Sequence, residues 1–275
     1  MGLQHRLNFL RIFKKVYAME GDAESRQVGL ARALSKLGYC SRTQAARLIR
    51  AGRVRLNGAT RLDPETPVRL QHDRIAVDRE TVAAESKIYL MLNKPRGVVT
   101  TASDEKGRQT VYSLLGEKLP WVGPVGRLDK ASEGLLLLTN DSEWAARISD
   151  PGAHVDKAYH VQVGSLTQDL LTNTLLKGVR SDGELLRAKR ARVLRSGEKN
   201  TWLEIVLDEG KNRQIRRMFD QMGIEVLRLV RVSIGPLALG QLAKGDFRKL
   251  GASGKSALDQ AVKISGDRKR IPEKG

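Results

Sequence analysis

The stretch Gly126-Arg-Leu-Asp-Lys-Ala-Ser-Glu-Gly-Leu-Leu-Leu-Leu-Thr-Asn-Asp141 places a polar segment directly before four consecutive leucines. The run Leu135–Leu138 is too short for a buried helix, and it is typical of a strand covered on both faces. Such a strand would hold the preceding loop rigidly and leave Asp129 near the rim of a sheet, where functional groups often lie. Aspartates in loops more commonly cap a turn. The spacing alone therefore leaves both interpretations of Asp129 open.

The sequence of this stretch resembles the active-site motif of pseudouridine synthases of the RsuA type, both at Gly126–Asp129 and at Gly134–Asp141. Ser132 stands where that family usually has Thr, which keeps a hydroxyl at the position. The resemblance implies that Asp129 is the essential catalytic carboxylate. It also implies that Arg127 takes the space that the target base vacates when it leaves its helix.

The charge of the chain indicates a polyanionic partner. The 275 residues include 49 Lys and Arg against 31 Asp and Glu, which gives a formal net charge of +18. Nucleic acid is a better match to this excess than a membrane surface. Aromatic residues make up only 4% of the chain, so extensive base stacking is not expected to be the main binding mode.

The sequence carries no pattern typical of a cofactor, a metal or a membrane span. Cys40 is the only cysteine, which excludes an internal disulfide and a cysteine-based zinc site and fits a reducing, cytoplasmic setting. The four histidines have no ligand spacing, and no glycine-rich nucleotide loop occurs. No apolar run approaches 18 residues. We therefore expect a cytoplasmic protein that needs no cofactor or metal and does not contact a membrane.

The N-terminal part of the chain predicts a flexible extension followed by a small basic domain. Residues 1–26 are predicted to be flexible, and residues 27–85 to form two helices and a hairpin. Ser41 is a good N-cap for the second helix, Arg42–Arg50, and Asn57-Gly58 is a strong hairpin signal. Between Gln27 and Leu62 there are eight basic residues and no acidic one. Such a run is usually a solvated face, but here its self-repulsion would be relieved by bound phosphates.

This segment resembles the S4 RNA-binding domain, which occurs on several RNA enzymes and on ribosomal proteins. The resemblance implies that Arg42, Arg47, Arg50 and Arg53 line a groove for an RNA backbone.

Residues 86–251 predict a second, larger domain. Strands are expected at 88–92, 98–100, 155–163 and 201–208, with a helix at 142–148. Taken alone, Tyr159 is best interpreted as a core tyrosine with its hydroxyl at the edge. The resemblance implies instead that Lys157 and Tyr159 form the family's Lys-x-Tyr pair, whose tyrosine packs against the target base.

A third motif follows, with a predicted helix at 213–222. Arg213, Arg216 and Arg217 share one face of it, and three such arginines usually form a solvated face. The run Glu209-Gly-Lys-Asn-Arg-Gln-Ile-Arg-Arg-Met218 resembles the family's third motif, in which the arginine matching Arg216 pairs with the catalytic aspartate. We expect Arg213 and Arg217 to contact RNA. Residues 252–275 hold six basic and three acidic residues with little apolar content, which predicts a disordered basic tail.

Together these patterns predict an α+β protein: a small S4-like RNA-binding domain followed by a pseudouridine synthase domain with a mixed, mainly antiparallel sheet. The expected activity is conversion of one uridine in ribosomal RNA to pseudouridine by a monomer that binds ribosomal RNA or a ribosomal subunit precursor. The alternative is a non-catalytic RNA-binding protein or ribosome-assembly factor that keeps the fold. A synthase acting on transfer RNA is a third possibility, which the RsuA-type wording disfavours.

Overall fold

The chain divides into two units, residues 1–86 and 87–275. The coordinates are a computed structural model, which describes residues 27–102, 104, 106–116, 119–164 and 168–268. The extension predicted for residues 1–26 lies outside the described residues.

The first unit contains two helices and two small sheets. Its helices are α1 (Leu30–Lys36) and α2 (Arg42–Arg50). Its strands are β1 (Val28–Gly29), β2 (Val54–Leu56), β3 (Ala59–Thr60), β4 (Pro67–Val68), β5 (Ile75–Val77) and β6 (Glu80–Thr81). Strand β1 pairs with β4, and the other four form a sheet in the order β3-β2-β5-β6.

Local sequence signals in the first unit are confirmed. The Ser41 hydroxyl accepts a hydrogen bond from the backbone N–H of Gln44, and the Gln44 side chain accepts one from the backbone N–H of Ser41, which completes a capping box. Asn57 and Gly58 both have positive φ, at 51° and 83°, as the tight turn between β2 and β3 requires. Leu30, Leu34 and other apolar side chains of α1, α2 and the strands form its core.

The second unit is built on a nine-stranded sheet. The unit as a whole has eleven strands, nine of them in this sheet: β7 (Tyr89–Lys94), β8 (Gly123–Val125), β9 (Glu133–Thr139), β10 (Lys157–Gly164), β11 (Val179–Ser181), β12 (Glu184–Leu186), β13 (Arg190–Ser196), β14 (Asn200–Leu207), β15 (Val226–Ile234), β16 (Leu237–Ala238) and β17 (Phe247–Lys249) in the described residues. Its helices are α3 (Ser142–Ser149), α4 (Gln168–Lys177), α5 (Gln214–Gln221) and α6 (Ala252–Arg268).

The large sheet has the order β13-β14-β10-β15-β9-β7-β17, with β8 added beside β9 and β16 beside β15. Its pairs are antiparallel except for β15 with β9, which run parallel. The predicted mixed, mainly antiparallel sheet is therefore confirmed. Strands β11 and β12 form a separate hairpin.

Strand β9 is buried along its whole length, as the leucine run predicted. Leu135 and Leu137 pack into a cluster with Trp144 and Ile148 of α3. The even-numbered leucines of β9 pack into a different cluster on the other side, which includes Leu128. Because both faces are covered, the strand gives the loop that precedes it a rigid base.

Two predictions about the second unit are wrong. The strand expected at residues 98–100 does not form, and Val99 makes only an isolated bridge with Thr110. The segment is held by single contacts to loops rather than by a strand partner: the Val99 N–H donates to the carbonyl of Gln109 at 3.0 Å, and the Thr100 hydroxyl donates to that of Leu128 at 2.8 Å.

The expected disordered tail is also wrong for Ala252–Arg268, which form helix α6. Leu258 of this helix is fully buried, and Val262 packs beside it in the cluster around Trp144. Asp259 accepts a hydrogen bond from the indole N–H of Trp144 at 2.8 Å. The average composition of the tail hid this short apolar stripe. None of the described helices is both long and apolar enough to cross a membrane.

Candidate active site

The loop between β8 and β9 places Asp129 at the wall of a cleft. Three contacts fix this loop: the Ser132 N–H donates to the carbonyl of Asp129, the Gly97 N–H donates to that of Lys130, and Thr100 holds Leu128. The Asp129 side chain remains 29% exposed. Its carboxylate is therefore held in place and still accessible.

The cleft has a volume of about 380 Å³ and brings together residues from three separate motifs. Its polar lining consists chiefly of Arg127, Asp129, Lys157, Tyr159, Arg213 and Arg231. A second depression of about 420 Å³ adjoins the same loop, where Arg127 and Asp129 are joined by Lys106, Arg108 and Lys130. Arg127 is exposed and lines both spaces.

Asp129 forms its ion pair with Arg213 and not, as was predicted, with Arg216. The guanidinium nearest to Asp129 belongs to Arg213, with Nη1 at 3.8 Å from Oδ2. Arg213 adopts a left-handed conformation (φ 47°) immediately before α5, and this turns its side chain toward the cleft. No atom of Arg216 lies within ion-pair distance of Asp129 in the part of the chain that the structure describes.

Arg216 instead joins two backbone segments, the loop before β9 and the start of β15. Its Nη2 donates to the carbonyl of Ala131 at 3.1 Å, and its Nη1 donates to that of Val226 at 3.2 Å. Burial lowers the pKa of Arg216, the positive charge of Arg213 lowers it further, and Asp129 opposes this shift. Arg216 therefore supports the loop of Asp129 from below.

The side chain of Arg217, which is predicted to contact RNA, makes its observed contacts within the fold. Its side chain is only 17% exposed, and its Nη1 and Nη2 lie 2.9 Å from Glu184 and 3.2 Å from Asp182. Nη2 also donates to the carbonyl of Ser181 at 2.7 Å. These bonds fasten α5 to the β11–β12 hairpin. Helical spacing could not indicate these partners of Arg217, because they come from a hairpin some 30 residues earlier.

Tyr159 and Lys157 lie on β10 and line the cleft together. Tyr159 is half-buried and packs against two hydrophobic clusters, so the core interpretation and the functional one are compatible. Burial lowers the pKa of Lys157, and the nearby charge of Arg231 lowers it further, while Asp208 and Asp156 oppose the shift.

Sequence reasoning missed Lys94 and Arg231. Lys94 is fully buried and donates to the carbonyls of Pro95 at 2.9 Å and Ser132 at 2.7 Å, and burial lowers its pKa to about 8. Arg231 is 6% exposed, donates from Nε to the carbonyl of Leu135 at 2.7 Å, and has a buried Nη2 without a partner. Nothing in the sequence indicates that either side chain is buried.

The arginines predicted to bind RNA in the first unit differ in their surroundings. Arg42, Arg47 and Arg50 are exposed along α2. Arg53 forms a two-point pair with Asp78, in which Nε donates to Oδ1 at 2.8 Å. Asp78 lies beyond the segment Gln27–Leu62, which contains no acidic residue. The charge of Arg53 is therefore partly neutralised, and its predicted role is weaker than that of the other three.

Comparisons with known proteins agree with this division of the chain. Residues 28–81 match the S4 domain, and residues 88–221 match the family described as RNA pseudouridylate synthase. A crystal structure of a pseudouridylate synthase superposes with a TM-score of 0.60 at 29% identity, over 84% of this chain and 99% of that one. These matches define the class, an RNA-modifying isomerase with an S4 domain ahead of its catalytic domain.

Curated relatives narrow the class further. An RNA pseudouridine synthase of Rickettsia prowazekii (strain Madrid E) is 38% identical, over 80% of this chain and 93% of its own length. Ribosomal large subunit pseudouridine synthase B of Bacillus subtilis (strain 168) is 35% identical, over 80% of this chain and 91% of its own length. The chain belongs to the RNA pseudouridine synthase family, in its RsuA-type branch.

Proposed function

We propose that this enzyme converts one uridine of ribosomal RNA to pseudouridine and that Asp129 is its essential carboxylate. The observation that carries the proposal is the position of Asp129, which is rigidly held yet accessible in a cleft lined by Tyr159 and Arg213. The ribosomal substrate is supported by the Bacillus subtilis relative, whose name assigns it to the large ribosomal subunit.

The reaction breaks the bond between C1′ and N1 of uridine, turns the uracil, and joins C1′ to C5. Uridine and pseudouridine are isomers, so the proton lost at C5 balances the one gained at N1, and no net electrons are transferred. Asp129 would serve either by attacking the sugar or base or by moving the proton. Arg213 stabilises the negative charge of the carboxylate by Coulomb attraction at 3.8 Å.

A uridine must leave the helix stack to reach this cleft, which costs a few kcal/mol. Arg127 is exposed at the rim and lines both depressions, so it is the side chain placed to fill the vacated space. Tyr159, which also lines the cleft, offers its ring to the flipped base. These two roles keep the target nucleotide out of its helix while the glycosidic bond is exchanged.

The decisive experiment is Asp129→Asn, which keeps the shape of the side chain and removes its charge. We expect no pseudouridine and an RNA affinity within a few-fold of the parent, because the remaining lining is unchanged. Product is measured by carbodiimide-induced stops of reverse transcription on ribosomal RNA. Asp104→Asn, at an acid in the adjoining depression, is the matched control. Normal product formation by Asp129→Asn would remove the carboxylate from the chemistry.

The same stops, mapped in cells with and without the gene, would identify the uridine. Absence of any changed site, together with retained RNA binding, would favour the alternative of a ribosome-assembly factor that keeps the fold.

A further inference from the structure

The sheet of the second unit presents a second polar surface, on the side opposite the active-site cleft. Residues alternate along β10, so Tyr159 and Val161 point toward the cleft and its helices, whereas His160 and Gln162 point the other way. We call this other side the reverse face, and its central residues are Gln162, Arg195, Trp202 and Arg228. The register confirms that they adjoin, since Trp202 lies opposite Gln162 and Arg195, and Gln162 lies opposite Arg228.

Two guanidinium groups lie close to the ring of Trp202 on this face. The Arg195 and Arg228 carbons are 5.3 Å and 5.5 Å from the centre of its ring system. The three side chains line a depression of about 470 Å³ together with the amides of Gln162 and Asn200. No carboxylate lines this depression among the residues that the structure describes.

The charge around this depression is positive. Two acids lie near it, and both are already paired. Glu133 pairs with Arg228 at 3.2 Å and with Lys244 at 2.6 Å, so two cations share one buried carboxylate. Glu204, two residues along β14 from Trp202, pairs with Arg192 at 2.8 Å. Arg195 adds a further positive charge, and no carboxylate lies within 4.0 Å of it in the described part of the chain.

We propose that the reverse face binds a single-stranded segment of the RNA substrate, with one base stacked at Trp202 and its phosphates at Arg195 and Arg228. An aromatic ring close to two arginines on an open sheet face is suited to unpaired bases, because stacking needs a free base face and the cations neutralise the backbone. The amides of Gln162 and Asn200 can donate to and accept from the base edge.

An acidic protein would satisfy the arginines, but it would leave the two amides and the stacking position without a specific role. The inference builds on the proposed RNA substrate. Its test, however, requires only binding and no turnover.

The first test uses tryptophan fluorescence of the full chain titrated with a short oligoadenylate, which contains no uridine. Stacking on Trp202 should quench its emission, and Trp202→Phe should lose this quenching while Trp121 and Trp144 still emit. Trp144 is fully buried and bonded to Asp259, so it serves as an internal reference. Quenching that persists in Trp202→Phe would overturn the proposal.

The second test reverses one charge. Arg195→Glu should weaken oligoadenylate binding about tenfold and lower the dependence of affinity on salt. Arg248→Glu makes the same charge change on β17 at the opposite edge of the sheet, and it should change binding less than about twofold. Equal effects of the two variants would mean that only net charge matters and would overturn the proposal. Asp129→Asn should bind oligoadenylate normally, which separates this inference from the catalytic one.

Discussion

Arg216 acts on the site through the backbone of the loop rather than through the carboxylate of Asp129. Its two nitrogens join the carbonyls of Ala131 and Val226, which belong to segments far apart in sequence. The motif predicted an ion pair between Arg216 and Asp129, whereas the structure places Arg216 against the backbone of the Asp129 loop. The motif could not give the partner, because Arg213 and Arg216 are three residues apart and the direction of each side chain depends on the left-handed turn at Arg213.

We expect Arg216→Ala to lower kcat by roughly 100-fold, because a loop displaced by about 1 Å misplaces the carboxylate. RNA affinity and KM should change little, since Arg216 does not line the cleft. Arg216→Lys should recover only part of the rate, because an ammonium lacks the planar fork that joins two carbonyls. Single-turnover kinetics measures the rate constant of both variants, with Arg180→Ala, at an exposed arginine, as the control. A normal kcat would show that the loop holds its position without Arg216.

Gly134 is a residue for which the backbone leaves no room. Its φ is +100°, and an added Cβ would lie 2.2 Å from the carbonyl oxygen of Arg231 and 2.8 Å from its nitrogen. Gly134→Ala should therefore lower the free energy of unfolding by more than about 2 kcal/mol. Gly245→Ala, at φ +88° with open space, should cost only about 1 kcal/mol. Denaturant unfolding compares them, and equal losses would mean that the close approach is easily relieved.

At the scale of elements, the sequence predicted those whose signal is local. Helix α2 follows from its cap and β9 from its leucine run, while β10 and α5 follow from their hydrophobic periods. The errors occur where a distant partner decides the structure. Residues 98–100 are held by the Asp129 loop, and α6 is held by Trp144, more than 100 residues away in sequence.

Helix α6 makes a prediction at this scale. Leu258→Ala should reduce the stability of the second unit by about 2–5 kcal/mol, because its side chain is fully buried against the Trp144 cluster. Gln260→Ala, on the exposed side of the same helix, should change stability by less than about 0.5 kcal/mol. Thermal unfolding measures the two variants. A Leu258→Ala variant as stable as the parent would mean that the helix is not required by the fold.

At the scale of the whole molecule, the net charge of +18 indicated a nucleic-acid partner, and the S4 match and the pseudouridine synthase family agree with it. The charge did not indicate where RNA would bind. Ion pairs within the fold occupy Arg53 and Arg217, whereas Arg47 and Arg50 remain exposed. Composition counts all of these residues alike, so it could not distinguish the arginines that pair within the fold from those that stay exposed.

Reversing the charge at Arg47 and Arg50 together should weaken RNA binding and reduce the salt slope by roughly one for each phosphate that the variant no longer neutralises. The rate constant of chemistry in single-turnover experiments with saturating enzyme should be retained, because both residues belong to the first unit. Affinity is measured over a range of salt concentrations, with Arg248→Glu as the charge control. An unchanged slope would place the main RNA-binding surface outside α2.

The pairing of β9 with β15 has a consequence for biosynthesis. Glu133 and Arg228 form an ion pair although 95 residues separate them in sequence. The parallel pairing of β9 with β15 begins at the same residue, Glu133, which lies opposite Val230. A pairing over this sequence distance forms late, after the intervening chain is available. We expect nascent chains that end before β15 to have no assembled cleft, so that the enzyme becomes competent only after β15 has been synthesised.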